Sequence, residues 1–246
     1  MSDPRSDGGA APPPPPAALH LGGLIRFSST DFPGRLAAVL FLQGCPWHCG
    51  YCHNPHLLPM RGEHELDWDE TVAWLATRRG LLDAVVFSGG EPTAQPGLAP
   101  AIRAVRALGF EIGLHTGGAY PRRVAEVVRD VDWIGFDLKA PSIDYAGVTG
   151  VRASGIAAFA SLDLALASGV PLEVRTTVHP DLTPPAMLEA LARELAGRGV
   201  AHWVLQQFRP IGCASDALVA AAPGGARISE SLLATLAAHV PNIVVR

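Results

Sequence analysis

Short apolar runs alternate with amphipathic stretches at a spacing of roughly 25–40 residues, and this rhythm constrains the chain more than any other feature. The first run, Leu36 to Leu42 (LAAVLFL), holds no polar residue, which marks a strand buried on both faces. Before it, Leu21 to Phe27 reads as a short extended segment and Asp31-Phe32-Pro33-Gly34 as a turn. Further strands are expected at Ala84–Phe87, Phe110–Leu114, Val131–Phe136, Val170–Val174 and His202–Leu205. The helical stretches between them carry their own boundary signals. Asp67 and Glu70 resemble a capping box ahead of Trp68, Val72 and Leu75, and Gly109 can close the helix of Leu98, Ile102 and Val105. Pro121 and Pro184-Pro185 open two more helices, Gly169 ends one near Ile156 to Ala167, and Leu232, Leu233 and Leu236 mark the last. About six β-then-α units argue a parallel sheet with helical crossovers. That falls short of the eight units of a closed barrel, so the expected fold is α/β: a partial (β/α)6 TIM-like barrel, laterally open, with a doubly wound sheet as the fallback.

Residues 19–246 are expected to form one core domain. Residues 1–18 contain five consecutive prolines, Pro12 to Pro16, and no apolar core of their own, so they read as a disordered Pro/Ala-rich tail. The tail has no signal-peptide anatomy, no apolar run approaches the roughly 18 residues of a membrane span, and the expected compartment is the cytoplasm. The formal charge of −4 offers no basic footprint for nucleic acid. In a reducing compartment the four cysteines favour metal or redox chemistry over disulfides.

Three of them, Cys45, Cys49 and Cys52, sit in the loop GCPWHCGYCHNP that follows the first buried strand. Three thiolates on one short Gly- and Pro-containing loop point to a metal. Structural zinc would need His48 or His53 as a fourth ligand, and closed zinc sites draw on two separated knuckles rather than one loop. A c-type haem matches Cys49-Gly50-Tyr51-Cys52-His53 but leaves Cys45 unexplained. A 4Fe–4S cluster held by three thiolates leaves one iron open, as a catalytic centre requires. The spacing favours the cluster over zinc, and zinc over haem. Glu91, Thr116, Asp137, Lys139, Arg175 and Gln207 are each expected just beyond a strand's carboxyl end, on the same rim as this loop.

In three features the chain resembles the radical S-adenosylmethionine superfamily: the cysteine triplet, Tyr51 before its last member, and Gly89-Gly90-Glu91 after the next strand. Asp31-Phe32-Pro33-Gly34, FLQGCPWHCGYCHNP, SGGEP, Asp137-Leu138-Lys139 and Val174-Arg175-Thr176-Thr177-Val178 are similar to the activating enzymes of glycyl-radical proteins. Within that group the similarity is greatest to activators of anaerobic ribonucleoside-triphosphate reductase, and it covers roughly residues 21–210.

The resemblance implies one 4Fe–4S cluster on Cys45, Cys49 and Cys52, with S-adenosylmethionine on the fourth iron. It implies that Gly89 and Gly90 bring backbone to the methionine ammonium and that Glu91 anchors that end, directly or through neighbours. Tyr51 would lie near the adenine and Lys139 would meet the methionine carboxylate. Asp137 would hold Lys139 or a cation, with Thr116 and Arg175 as further cofactor contacts; an ordinary ion pair is the competing reading of Lys139 and Asp137. The implied partners are a glycyl-radical enzyme and a flavodoxin- or ferredoxin-like electron donor. A pyruvate formate-lyase-type target, a small-molecule substrate as in deazapurine carboxylate synthases, and a non-catalytic zinc or electron-transfer module are the alternatives. His115 stands where similar activators often carry an acidic residue, Arg209 falls where a His is common, and no ferredoxin-like insert is present. Cys213 reads as a structural or incidental thiol, and His53 and Asn54 as loop-shaping residues.

Overall fold

A computed structural model describes residues 19–246, so the expected tail at 1–18 lies outside the described residues. Its strands are β1 (Leu21–Ser28), β2 (Ala37–Leu42), β3 (Ala84–Gly89), β4 (Glu111–Thr116), β5 (Trp133–Asp137), β6 (Leu172–Val178), β7 (His202–Gln207) and β8 (Asn242–Val245). The helices are α1 (Trp68–Ala76), α2 (Leu98–Ala107), α3 (Pro121–Val127), α4 (Tyr145–Thr149), α5 (Ser154–Ser168), α6 (Pro185–Gly197), α7 (Asp216–Ala221) and α8 (Glu230–Ala237). All eight strands form one sheet in sequence order, and β1 and β8 are its two unjoined edges. From β2 to β8 every pairing is parallel, with helical connections between neighbours; only β1 runs antiparallel, against β2. The laterally open, TIM-like α/β architecture is therefore borne out.

Local signals account for many of the boundaries. The Asp67 side chain accepts the Glu70 N–H at 2.8 Å and starts α1, and Gly109 follows α2 with φ +96°. Four features depart from the sequence reading. β6 ends at Val178 rather than Val174, because Val174, Thr176 and Val178 continue the period-2 pattern. β1 joins the sheet antiparallel, and the closing segment Asn242–Val245 becomes an eighth strand. The short helices α4 and α7 were not anticipated, since five and six residues are too few to show a helical period.

Alternation along the strands builds two layers. Leu40, Phe87, Leu114, Ile134, Phe136 and Val174 pack outward beneath helix residues such as Ile102, Leu162 and Leu191. Ala37, Val39, Ala84, Val86 and Trp133 face inward, where Phe32 from the β1–β2 turn stacks on Trp133 at 5.4 Å. That plug fills the inner space below the carboxyl ends of the strands and leaves the space above it open.

Candidate active site

The cysteine loop begins where β2 ends. Close backbone contact ties it to the turn after β3: Glu91 N–H donates to Gly44 O at 2.8 Å and Gly90 N–H to Leu42 O at 2.9 Å. A side chain at Gly90 would place Cβ 2.6 Å from Gly44 O. At Gly89, where φ is +128°, Cβ would lie 2.2 Å from Leu42 N. Glycine is required at both positions for the loop to seat. From the other side, α4 offers its last carbonyls: His48 N–H donates to Thr149 O at 2.8 Å and Gly50 N–H to Val148 O at 3.3 Å.

Above the Phe32 plug lies a cavity of about 220 Å³. Cys45, Cys49 and Cys52 all line it, together with Tyr51, Gly89, Gly90, Glu91, Thr116, Asp137 and Lys139. Residues spread over more than 90 positions of sequence thus share one space, as the rim argument expected. Trp47, Ser88, His115, Thr177 and Gln206 complete much of the lining, and sequence reasoning had not assigned them. Gln206 replaces the expected Gln207: strand alternation turns 206 inward with Thr177 and leaves Gln207 exposed. His53 and Asn54 also line the cavity, and His53 Nε2 lies 2.8 Å from Arg209 O, so the loop-shaping His reaches the strap after β7.

Glu91 is buried and fully engaged. Its Oε1 accepts from Thr93 N (3.0 Å), Thr93 Oγ1 (2.5 Å) and Thr116 Oγ1 (2.6 Å), and its Oε2 accepts from Gly117 N (2.9 Å). Through these bonds the carboxylate knits the β3 and β4 turns together. Thr116 is one of its donors.

Lys139 stands differently. Its ammonium lies 5.7 Å from the Tyr51 ring centre and 5.9 Å from that of Trp47, and it makes no salt bridge among the described residues. Burial opposes its charge, but Tyr51, Cys49 and Asp137 outweigh that opposition and hold the ammonium above its ordinary range. Its backbone N–H donates to the buried Tyr145 hydroxyl at 3.3 Å. Burial likewise pushes the Tyr51 phenol up, so the ring presents a neutral hydroxyl at neutral pH.

Arg175 does not line the cavity. Because β6 runs on to Val178, Arg175 sits within the strand, in register with Asp137, one layer below the position expected for it. Its Nε donates to Asp137 Oδ1 at 2.9 Å and its Nη2 to Gly135 O at 3.3 Å. Gly135 leaves room for this group, since a Cβ there would lie 2.6 Å from the guanidinium carbon. Burial alone would raise the Asp137 carboxyl, but Arg175 and then Lys139 outweigh it and keep it below its usual range. His115 completes the layer. Burial and Arg175 lower it to about 4, so it is neutral, and Nε2–H donates to Asp31 O at 2.8 Å.

The donor set fits an iron–sulfur cluster. Three free thiols border one space, and among the described residues no group of His, Cys, Asp or Glu side chains closes around a single metal ion. A cluster needs one thiolate per iron rather than a shared focus. Burial pushes the Cys45 thiol up to about 12 and raises Cys49 as well, so loading metal there releases protons. Cys213 is free and packs its sulfur 3.8 Å from Gly50 O, on the outer side of the loop. No helix among the described residues is long and apolar enough to cross a membrane.

Comparison with known proteins bears on this geometry. Residues 39–195 match the model of the radical SAM superfamily. The chain is 29% identical over 195 residues to a protein of Methanocaldococcus jannaschii assigned as a glycyl-radical enzyme activating enzyme, covering 76% of this chain and 79% of that one. It is 31% identical over 159 residues to the pyruvate formate-lyase-activating enzyme of Clostridium pasteurianum, covering 62% of this chain and 66% of the relative. Among solved structures, Streptococcus suis SuiB bound to S-adenosylmethionine superposes with a TM-score of 0.58 at 12% identity, over 82% of this chain and 48% of SuiB. That last likeness shows the fold alone.

Proposed function

Since the chain belongs to the radical SAM superfamily, whose cofactors are a 4Fe–4S cluster and S-adenosylmethionine, we propose that it activates a glycyl-radical enzyme. The observation that carries this reading is the meeting of the three cysteines with Gly89, Gly90, Glu91 and Lys139 around one cavity. The two relatives named for activation of glycyl-radical enzymes support the choice of target. Anaerobic ribonucleoside-triphosphate reductase is the partner suggested by the sequence motifs; a pyruvate formate-lyase-type partner is the second candidate, supported by the Clostridium relative.

Bound together, the cluster and S-adenosylmethionine supply reductive cleavage of a carbon–sulfur bond, and with it a primary carbon radical able to take a hydrogen atom from a glycine α-carbon. The protein's own work is holding and shielding. Cys45, Cys49 and Cys52 would each hold one iron, leaving the fourth for the methionine amino and carboxylate groups. Lys139, charged and without a salt bridge among the described residues, presents its ammonium to that carboxylate. Gly89 and Gly90 allow backbone to approach the methionine ammonium, and Glu91 holds that turn rigid through Thr93, Thr116 and Gly117. Tyr51 offers a flat face to the adenine. Asp137, anchored from below by Arg175, sets the floor charge next to Lys139. Trp47 and the Phe32 plug beneath the cavity exclude water from the inner space, which protects a radical from quenching. Each reducing equivalent comes from outside, through a flavodoxin- or ferredoxin-like donor.

Anaerobic reconstitution with iron and sulfide tests the reading. The expected product is a brown protein that, once reduced, converts S-adenosylmethionine to 5′-deoxyadenosine and raises a glycyl doublet in electron paramagnetic resonance on its partner. Cleavage without that doublet on either reductase or lyase would move the target to a small molecule. A colourless protein retaining one zinc would refute the assignment.

A further inference from the structure

The short helix α4 touches both halves of the proposed site, although the mechanism above gives it no role. Its last two carbonyls, Val148 O and Thr149 O, accept the Gly50 and His48 N–H groups of the cysteine loop. Its first residue, Tyr145, is fully buried and reaches the other half: its hydroxyl accepts the Lys139 N–H at 3.3 Å. The same ring meets Trp47 of the cysteine loop edge-on at 5.6 Å and Phe159 of α5 at 6.2 Å. The helix is itself braced from behind. Thr149 Oγ1 donates to Tyr145 O at 3.0 Å and lies 2.7 Å from Ser154 Oγ, which donates to Val151 O at 2.8 Å.

Lys139 has few other restraints. Leu138 is fixed to β6, since its N–H donates to Arg175 O at 2.8 Å and its carbonyl accepts Thr176 Oγ1 at 2.7 Å. One residue later the chain has left the sheet, and the Tyr145 hydroxyl is the group that fixes its backbone. Thus a single turn of helix sets the distance between the loop that carries the thiols and the cation beside them. From this juxtaposition we infer that α4 is a clamp that registers Lys139 against the cysteine loop, with Tyr145 as its positioning residue. The inference rests on the reading of Lys139 as the contact for the methionine carboxylate.

Replacing Tyr145 by Phe tests it. The ring and its contact with Trp47 remain, while the acceptor for the Lys139 N–H is lost. In the reconstituted protein, Y145F is expected to keep its iron and sulfide content but to bind S-adenosylmethionine about 3- to 10-fold more weakly, the size of one lost hydrogen bond. The readout is the change that added S-adenosylmethionine makes in the spectrum of the reduced cluster, titrated against its concentration. S154A, which loosens α4 through Thr149 without touching the cavity, is expected to act in the same direction with smaller size. It also serves if Y145F does not fold. Wild-type affinity in both variants, or loss of iron in step with affinity, overturns the clamp. A wild-type protein that takes up iron yet shows no spectral response to S-adenosylmethionine refutes instead the reading of the site.

Discussion

The two cations nearest the cavity occupy adjacent layers and are held in opposite ways. In the lower layer, Arg175 is inside β6, its guanidinium engaged by Asp137, Gly135 O and the Trp133 ring, with His115 beside it. In the upper layer, Lys139 lies beyond the end of β5 with aromatic faces, Cys49 and Asp137 around its ammonium and no salt bridge among the described residues. A cation whose hydrogen bonds are spent inside the protein supports the structure. One held by rings and by the local field keeps its donors for something that arrives later. The difference teaches which charge is architecture and which is chemistry.

Substitutions can break this contrast. The largest effect is expected from Arg175→Met, which leaves the Asp137 carboxylate without its partner. Stability should fall toward the lower end of roughly 3–5 kcal/mol, because Asp137 is partly solvated. Denaturant unfolding of the metal-free protein measures it, and an unchanged midpoint would show that the lower layer is not structural.

His115 gives a comparable effect with a pH signature. Its folded value of about 4 lies below the ordinary 6.5, so the unfolded chain binds the proton first as pH falls. The stabilisation is therefore complete above pH 6.5 and is lost progressively down to about pH 4, amounting to about 3 kcal/mol across that window. His115→Gln keeps a donor for Asp31 O and removes the titration. The acid limb of its Tm-against-pH curve should be flatter than the wild type's over that window. Parallel curves would place the acid sensitivity elsewhere.

A smaller effect, on another axis, is expected from Lys139→Met. Losing a hydrogen bond to a charged group weakens S-adenosylmethionine binding by roughly 10- to 100-fold. Stability of the metal-free protein should fall only slightly, because the charge, though favoured in the folded state, makes no salt bridge among the described residues. Calorimetric titration paired with a melting curve decides it. If Arg175→Met weakened binding more than Lys139→Met, the two layers would have exchanged roles.

Much of this arrangement was legible in the sequence. The apolar run Leu36–Leu42, the spacing of the later strands and the residues at their ends located the rim. The cysteine loop and Gly89-Gly90-Glu91 needed only the parallel order of β2 and β3 to come together. Other parts were not legible for identifiable reasons. Arg175 was placed a layer too high because a strand's end depends on its neighbours' hydrogen bonds, and β7 pairs with β6 as far as Val178. Gln206 and Gln207 differ only in the face they present, and a one-residue choice of face lies within the uncertainty of any boundary read from sequence. The helix α4 left no periodic trace, and Trp47 and Tyr145 looked like ordinary aromatic residues.

The sequence by itself determined the kind of chemistry and the alternation of strands with helices: thiol spacing and apolar periodicity are local properties that survive in an unfolded chain. Which charges are spent and which stay available was decided only by tertiary structure. That outcome depends on what lies opposite each side chain, and the partners come from elements far apart: Asp137 across from Arg175, Tyr145 behind Lys139, and the paired threonines around Glu91.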